Sequence, residues 1–452
     1  MSRPGPYLVL GMGVTGRAVV GALARRGEPV VAVDDRPNDT AAAELAALGV
    51  DLVVGPDHDR LAALVGGAAA VVPAPGLPAR HPLFELAAAA GVPVLSEFDL
   101  AARWDERPWL AITGTDGKTT VTTLVCAMLE ASGVTAGAVG NTPVPLVTAV
   151  DDPTIDVFVV EASSFRLDHS RRFAPAVGTW LNFAPDHLDN HRSLADYEQA
   201  KARIWRDQSA EQVAVGNADD PVVARHLAVA PARRVTFSAG GPGGPGGRGY
   251  RVADGRLVTG HDDEICAVAD LRRAFPHDLL NGLAAAATAL EGGATLAGVR
   301  AALVAFDGLP HRLSSVAEAG GVRYVDDSKA TTPHAAVAAV QAFDSVVLIA
   351  GGQNKGLDLG VLGEVADHVR AVVAIGDAAP EVAAAFAGRR PVSVAGSMDE
   401  AVAVAAGLAH PGDVVLLSPG CASFDWYGGM AERGDDFARA VHEHIGHIGG
   451  GR

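Results

Sequence analysis

The run ITGTDGKTT, Ile112–Thr120, sets a lysine and two threonines directly behind a glycine turn. Between a buried strand and a helix, such a turn leaves backbone N–H groups free at the positive helix end, where a phosphate is held. Lys118 would reach the β- and γ-phosphates of a nucleotide, and the Thr119 hydroxyl would ligate Mg²⁺. The spacing is a shortened form of the usual phosphate loop, because Ile112 stands where its first glycine belongs and Gly114 replaces it. A plain turn with an exposed lysine is the alternative, but it has no need of two glycines before Lys-Thr-Thr. A second glycine turn, GMGVTG at Gly11–Gly16, has Asp34 about 20 residues further on, the spacing of a dinucleotide fold with the acid on a ribose hydroxyl. The same turn holds any nucleotide diphosphate, and Arg36 suits a phosphate or a uracil edge. A dehydrogenase reading of it leaves the phosphate loop unexplained.

Three further groups could act beside a nucleotide. Glu161, in EASSF, offers Mg²⁺ the single carboxylate this ion prefers alongside water and phosphate; a solvated loop glutamate is the plainer reading. NFAPDHLDNH, Asn182–His191, packs Asp186, His187, Asp189 and His191 together. Zinc would want a thiol or an H-x-x-x-H spacing. A second Mg²⁺ on His187, with Asp186 and Asp189 orienting water, fits better, whereas His191 reads equally well as a loop polar group. Lys201, in YEQAKARIW, taken alone reads as a solvent-facing helix lysine.

The elements that must position these groups alternate Val/Ile/Leu runs with Ala-rich helical stretches, the pattern of parallel α/β sheets. Strands are expected at Tyr7–Leu10, Pro29–Val33, Trp109–Thr113, Asp156–Val160, Ala176–Leu181, Val322–Val325, Val346–Ala350, Ala371–Ile375 and Val414–Leu417, with a helix at Arg17–Arg26. AGGPGGPGGRG, Ala239–Gly249, reads as a surface loop. Breaks near Trp104–Pro108 and Gly308–Pro310 divide the chain into three α/β domains: residues 1–105 (Rossmann-like, nucleotide substrate), 106–308 (phosphate-loop ATPase) and 309–452 (Rossmann-like).

Composition narrows the function further. The 452 residues carry 36 Lys and Arg against 53 Asp and Glu, a net charge of −17 that excludes a phosphate-tracking nucleic-acid surface. Three scattered cysteines make no disulfide framework or zinc ribbon and fit a reducing compartment. The N-terminus lacks a signal-peptide pattern, and the uncharged stretch Leu61–Ala79 is broken by three prolines and three glycines. A cytoplasmic protein without membrane insertion is expected.

The blocks TGTDGKTT, EASSF, NFAPDHLD, YEQAK, FDGLPHR (Phe306–Arg312), DDSKAT (Asp326–Thr331), GGQNKG (Gly351–Gly356) and SPGCASFD (Ser418–Asp425) occur in the order found in the Mur ligases, the ATP-dependent amide-forming family of peptidoglycan precursor synthesis. The chain resembles that family through nearly its whole length, and EASSF, GLPHR and DSKAT are most like members that join D-glutamate to UDP-N-acetylmuramoyl-L-alanine. A relative adding L-glutamate or another amino acid to the same precursor is the alternative. The resemblance implies ATP, two Mg²⁺ ions and a monomer. It gives Gly114, Thr115, Asp116, Gly117, Lys118, Thr119 and Thr120 to ATP, with Thr119 and Glu161 on one ion. It puts His187 and a carbamylated Lys201 on the other ion, and Asn281 beside the adenine. Arg312 and Asp327 become γ-phosphate and ribose contacts, so closure of the third domain is expected to complete the site. Thr15, Asp35 and Arg36 form the uridine-nucleotide pocket, and Asn141 a substrate contact. Thr331, Lys355 and Ser423 hold the carboxylates of the incoming amino acid, with Lys329 near the acyl phosphate. Four positions depart from the family pattern: Asp116 for Asn, Arg166 for Gln after SSF, Thr332 for the Asn after K-A-T, and Met430 for a Phe that lines the glutamate site.

Overall fold

The computed structural model describes residues 4–187, 190–240 and 249–449. Most of the glycine-proline tract, and Leu188 and Asp189, lie outside the described residues. The chain forms two compact units, one of Met1–Phe183, Asp189–Ala274 and Asp278–Phe306, the other of Ala184–Leu188, Phe275–His277 and Asp307–Arg452.

The first unit holds two sheets. Four parallel strands run in the order Leu52–Val54, Val30–Asp34, Tyr7–Leu10, Ala70–Pro73. A nine-stranded sheet has six parallel strands at its heart, in the order Arg233–Ser238, Val213–Asn217, Val177–Trp180, Trp109–Thr113, Val157–Glu161, Ala136–Gly140. Tyr250–Ala253 extends it in parallel, and Arg256–Val258 and Glu264–Ala267 finish it antiparallel. WLAIT and VFVVE are buried at every position, as strands covered by helices on both faces must be. The covering helix Pro276–Glu291 meets the sheet through a buried run of Leu283 and alanines, small side chains that let backbone approach backbone. Because Trp109–Thr113 pairs with both Val157–Glu161 and Val177–Trp180, the phosphate-loop segment, Glu161 and Asn182 all leave the carboxyl ends of adjacent strands.

The second unit is built on six strands in the order Ser314–Ala319, Val322–Asp326, Val414–Leu417, Val346–Gly351, Val369–Ile375, Val392–Ala395, with only the first pair antiparallel. Val414–Leu417 lies between Val322–Asp326 and Val346–Gly351, so the DDSKAT, SPGCAS and GGQNKG segments emerge side by side. The expected strands occur, several shifted by a residue, and the first helix starts earlier than expected, at Val14.

Candidate active site

The phosphate loop turns at Gly117, whose φ of +83° belongs to the left-handed region and whose added Cβ would stand 2.5 Å from Asn281 Oδ1. Helix Lys118–Glu130 begins at the next residue, with no side chain capping it, so its first N–H groups point into the turn. Asn182, two residues beyond strand Val177–Trp180, holds the loop in shape: its Oδ1 accepts from the N–H groups of Thr115 and Asp116, each at 2.9 Å, and its Nδ2 donates to Asp116 O at 3.2 Å. The Thr115 and Tyr197 hydroxyls meet at 3.2 Å.

Two lysines converge on one carbonyl. Lys118 Nζ donates to Gly114 O at 2.9 Å and to Thr115 O at 2.7 Å, while Lys201 Nζ donates to the same Gly114 O at 2.6 Å. Lys201 is 1 % exposed and lies over the Tyr197 ring, so it is not the solvent-facing lysine that its residue type alone implies. Helix Leu194–Arg206 carries both, with Tyr197 and Lys201 one turn apart on its buried face.

Glu161 ends its strand 2 % exposed. Its Oε1 accepts from Asn141 Nδ2 at 2.9 Å, and its Oε2 is buried with no hydrogen-bond partner among the described residues. A buried carboxylate oxygen without a donor is what a cation ligand looks like before the cation arrives. Glu161, with the Thr119 hydroxyl at the helix start, therefore fits Mg²⁺. Among the described residues there is no cluster of three His, Cys, Asp or Glu, as zinc would need.

His191 is a packing residue: buried, 2.9 Å from Ser164 Oγ and stacked on Phe165. His187 has a positive φ of 56°, and its Nε2 stands 3.2 Å from Asp186 Oδ2 while its N–H donates to Asp186 Oδ1 at 2.8 Å. In the four-stranded sheet, Asp34 is engaged by the backbone, accepting from Met12 N at 2.7 Å and Arg36 N at 3.0 Å. Asp35 and Arg36 are exposed beside it, Asp35 lying 3.2 Å from His81 Nε2. Thr15 Oγ1 accepts from Arg166 Nη2 at 3.1 Å, and Arg166 forms a buried ion pair with Glu97.

In the second unit, Asp327 Oδ2 accepts from Ser418 Oγ at 2.8 Å and Oδ1 from Leu313 N at 3.3 Å. Burial pushes its carboxyl up to about 7, with the Ser418 hydrogen bond and the Arg312 charge pulling the other way. His311 Nδ1 meets Asp326 Oδ2 at 2.6 Å. Lys329, Thr331, Lys355 and Met430 are half-buried and Ser423 is buried, on loops that leave adjacent strands or, for Met430, at a helix start. Thr332 caps helix Pro333–Val340 by accepting from Ala335 N, a duty that Asn performs equally well, so this departure is explained. Nothing in the structure explains Asp116. Sequence reasoning passed over Asn182 and Tyr197, although both sit inside blocks it singled out, NFAPDHLD and YEQAK.

Three mainly parallel sheets, one of them ending in a phosphate loop, make this an α/β nucleotide-binding architecture. The Mur ligase middle-domain family matches residues 112–289, the Mur ligase glutamate ligase domain 311–421 and the MurD-like N-terminal domain 6–96, and the chain belongs to the Mur ligase family. Among its relatives is a protein of Frankia casuarinae named UDP-N-acetylmuramoylalanine–D-glutamate ligase, 47 % identical over 98 % of this chain and 94 % of the relative. One of the same name from Desulfosudis oleivorans is 41 % identical, covering 96 % and 95 %. Among solved structures, the UDP-N-acetylmuramate–alanine ligase of Thermotoga maritima has the same fold, with a TM-score of 0.58 at 19 % identity over 97 % of this chain and 99 % of that one. A pseudomurein peptide ligase of Methanothermus fervidus gives 0.61 at 18 % identity over 98 % and 100 %.

Proposed function

We propose that the protein joins D-glutamate to UDP-N-acetylmuramoyl-L-alanine at the expense of ATP in peptidoglycan precursor synthesis. The observation that carries this reading is full-length identity to D-glutamate ligases together with a phosphate loop, an acid and a lysine gathered at adjacent strand ends. In the first step an oxygen of the alanyl carboxylate attacks the γ-phosphorus of ATP, the bond to the β,γ-bridging oxygen breaks, and ADP leaves an acyl phosphate. In the second, the D-glutamate amine attacks the acyl carbon, the carbon–oxygen bond breaks, and phosphate leaves as the nitrogen gives up its proton.

The first step sets an anion against a polyanion, and two unit charges 4 Å apart repel by about 4 kcal/mol at an effective dielectric of about 20. Lys118 and the N–H groups of the loop offset that repulsion on the ATP side. Glu161 and Thr119 would hold Mg²⁺, which would supply charge neutralisation at the phosphates. In our reading Lys329 and Arg312 serve the transferred phosphoryl group, Asp327 the ribose and Asn281 the adenine. Thr331, Lys355 and Ser423 hold the amino acid, with Met430 beside it. Thr15, Asp35, Arg36 and Asn141 bind the UDP-substrate.

Two ammonium groups sharing the Gly114 carbonyl repel each other. That crowding favours Lys201 as a carbamate, which would turn one cation into an anion able to support a second Mg²⁺. Among the described residues no helix is long and apolar enough to cross a membrane. In our reading the protein acts as a monomer on nucleotide-linked precursors in the cytoplasm. Phosphate release that requires the UDP-precursor, ATP, Mg²⁺ and D-glutamate together tests the reading, and release with L-glutamate instead moves the protein to the related ligase.

A further inference from the structure

One buried side chain in the second unit has no part in that chemistry and yet meets the loops that carry it. Arg433, in helix Met430–Gly449, is 1 % exposed. Its Nε donates to Ser328 Oγ at 3.0 Å and its Nη2 to Ser328 O at 2.9 Å. Its Nη1 donates to the carbonyls of Cys421 and Ala422 at 3.2 Å each, and Nη2 reaches Cys421 O at 3.2 Å as well. Among the described residues none of its hydrogen-bond partners is a carboxylate, so an ordinary salt bridge does not account for it. A guanidinium with no carboxylate in hydrogen-bond contact is an expensive group to bury; burial lowers its pKa to about 10, with the nearby charges of Asp425 and Asp326 pulling the other way, and it stays charged at neutral pH.

The contacts join three separate segments. Ser328 immediately precedes Lys329 and lies three residues before Thr331; Ala422 immediately precedes Ser423. The third loop is drawn in through Gln353, which exchanges backbone hydrogen bonds with Ala422 at 2.9 and 3.0 Å. Gly352 lies so close that an added Cβ would stand 3.1 Å from Arg433 Nη1, and Lys355 follows three residues on. Ser328 Oγ then donates to Met430 O at 2.7 Å, closing the circuit at the helix start. One rigid fork of N–H donors, directly or through Ala422, thus ties together the segments bearing the three amino-acid-pocket groups Thr331, Lys355 and Ser423, along with Met430.

We propose that Arg433 is the positioning residue of the amino-acid pocket: it fixes the spacing of the DDSKAT, GGQNKG and SPGCAS loops, and so sets affinity for the incoming amino acid without touching it. This rests on the pocket residues named above. A lysine keeps the charge but lacks the planar fork, so it recovers only part of the geometry. The test measures phosphate release for the wild type, Arg433→Lys, Arg433→Met and Ser328→Ala, varying D-glutamate, ATP and the UDP-precursor in turn. The KM for D-glutamate is expected to rise about tenfold or more in Arg433→Met, less in Arg433→Lys and Ser328→Ala. The other two KM values stay within about twofold. A loss of kcat with an unchanged KM for D-glutamate, or a parallel rise in all three KM values, overturns the proposal by reducing Arg433 to a prop of the fold. Should Arg433→Met fail to fold, Ser328→Ala, which removes the hydroxyl that accepts from Arg433 Nε and donates to Met430 O, decides by the same split. A wild type that releases no phosphate with D-glutamate overturns the ligase reading itself, and that result is seen before any variant is compared.

Discussion

Replacing Arg166 by methionine should destabilise the first unit by about 3–5 kcal/mol at neutral pH, the range for a buried ion pair that loses one partner. Arg166 follows the Glu161 strand in the short helix Ser164–Asp168, and Glu97 opens helix Glu97–Trp104; their side chains are 6 % and 1 % exposed. Neither Glu97 oxygen has a hydrogen-bond donor besides this partner among the described residues. Left alone, Glu97 must be protonated in the folded state. An acid whose folded pKa is raised favours the fold below its unfolded pKa of about 4.3 and loses that stability as pH rises through the folded value. The deficit of Arg166→Met should therefore fade as pH falls toward 5. Glu97→Gln behaves differently, because a stranded guanidinium cannot give up its proton, and its deficit should persist across the same pH range. The double replacement by methionine should cost less than about 1.5 kcal/mol. Urea unfolding followed by tryptophan fluorescence suits the measurement, since Trp104, Trp109, Trp180 and Trp205 all report on this unit. A deficit below about 1 kcal/mol for Arg166→Met, or one independent of pH, would refute the reasoning.

Three other expectations follow from the site. Glu161→Gln should raise the Mg²⁺ concentration giving half-maximal rate by about tenfold or more at saturating ATP; an unchanged midpoint would remove Glu161 from the metal site. Burial holds the Asp327 carboxyl near 7, so its charging between about pH 4 and 7 should weaken the second unit by an amount of the order of 4 kcal/mol. Asp327→Asn should therefore gain stability relative to the wild type between pH 5 and pH 8, and a difference that does not change with pH would contradict the burial argument. Carbon-13 bicarbonate should give a carbamate carbonyl resonance in the wild type that Lys201→Arg lacks; identical spectra would leave Lys201 as an ammonium.

The strands most legible in the sequence are those buried on both faces, because WLAIT and VVLL leave no room for any other reading. Ala136–Gly140 went unread: two glycines and two alanines carry little strand signal, and the segment is held by pairing with Val157–Glu161. The edge strands within Tyr250–Ala267 and at Ser314–Ala319 are short and partly exposed, so hydrophobic periodicity hardly registers them. The phosphate loop and Glu161 could be found because their chemistry is written in local spacing. Lys201 could not be singled out without the family resemblance, since its value depends on a helix turning it toward Gly114. Arg433 and Arg166 illustrate the remaining difficulty: arginine type predicts exposure, and only the tertiary packing reveals a guanidinium spent on carbonyls or on a buried carboxylate.

The central claim is tested most directly by phosphate release from ATP with UDP-N-acetylmuramoyl-L-alanine and Mg²⁺, D-glutamate and L-glutamate being supplied separately. Release should occur with D-glutamate and stop when the precursor or Mg²⁺ is withheld. Release with L-glutamate alone, or with neither from a folded protein that binds ATP, would contradict the account.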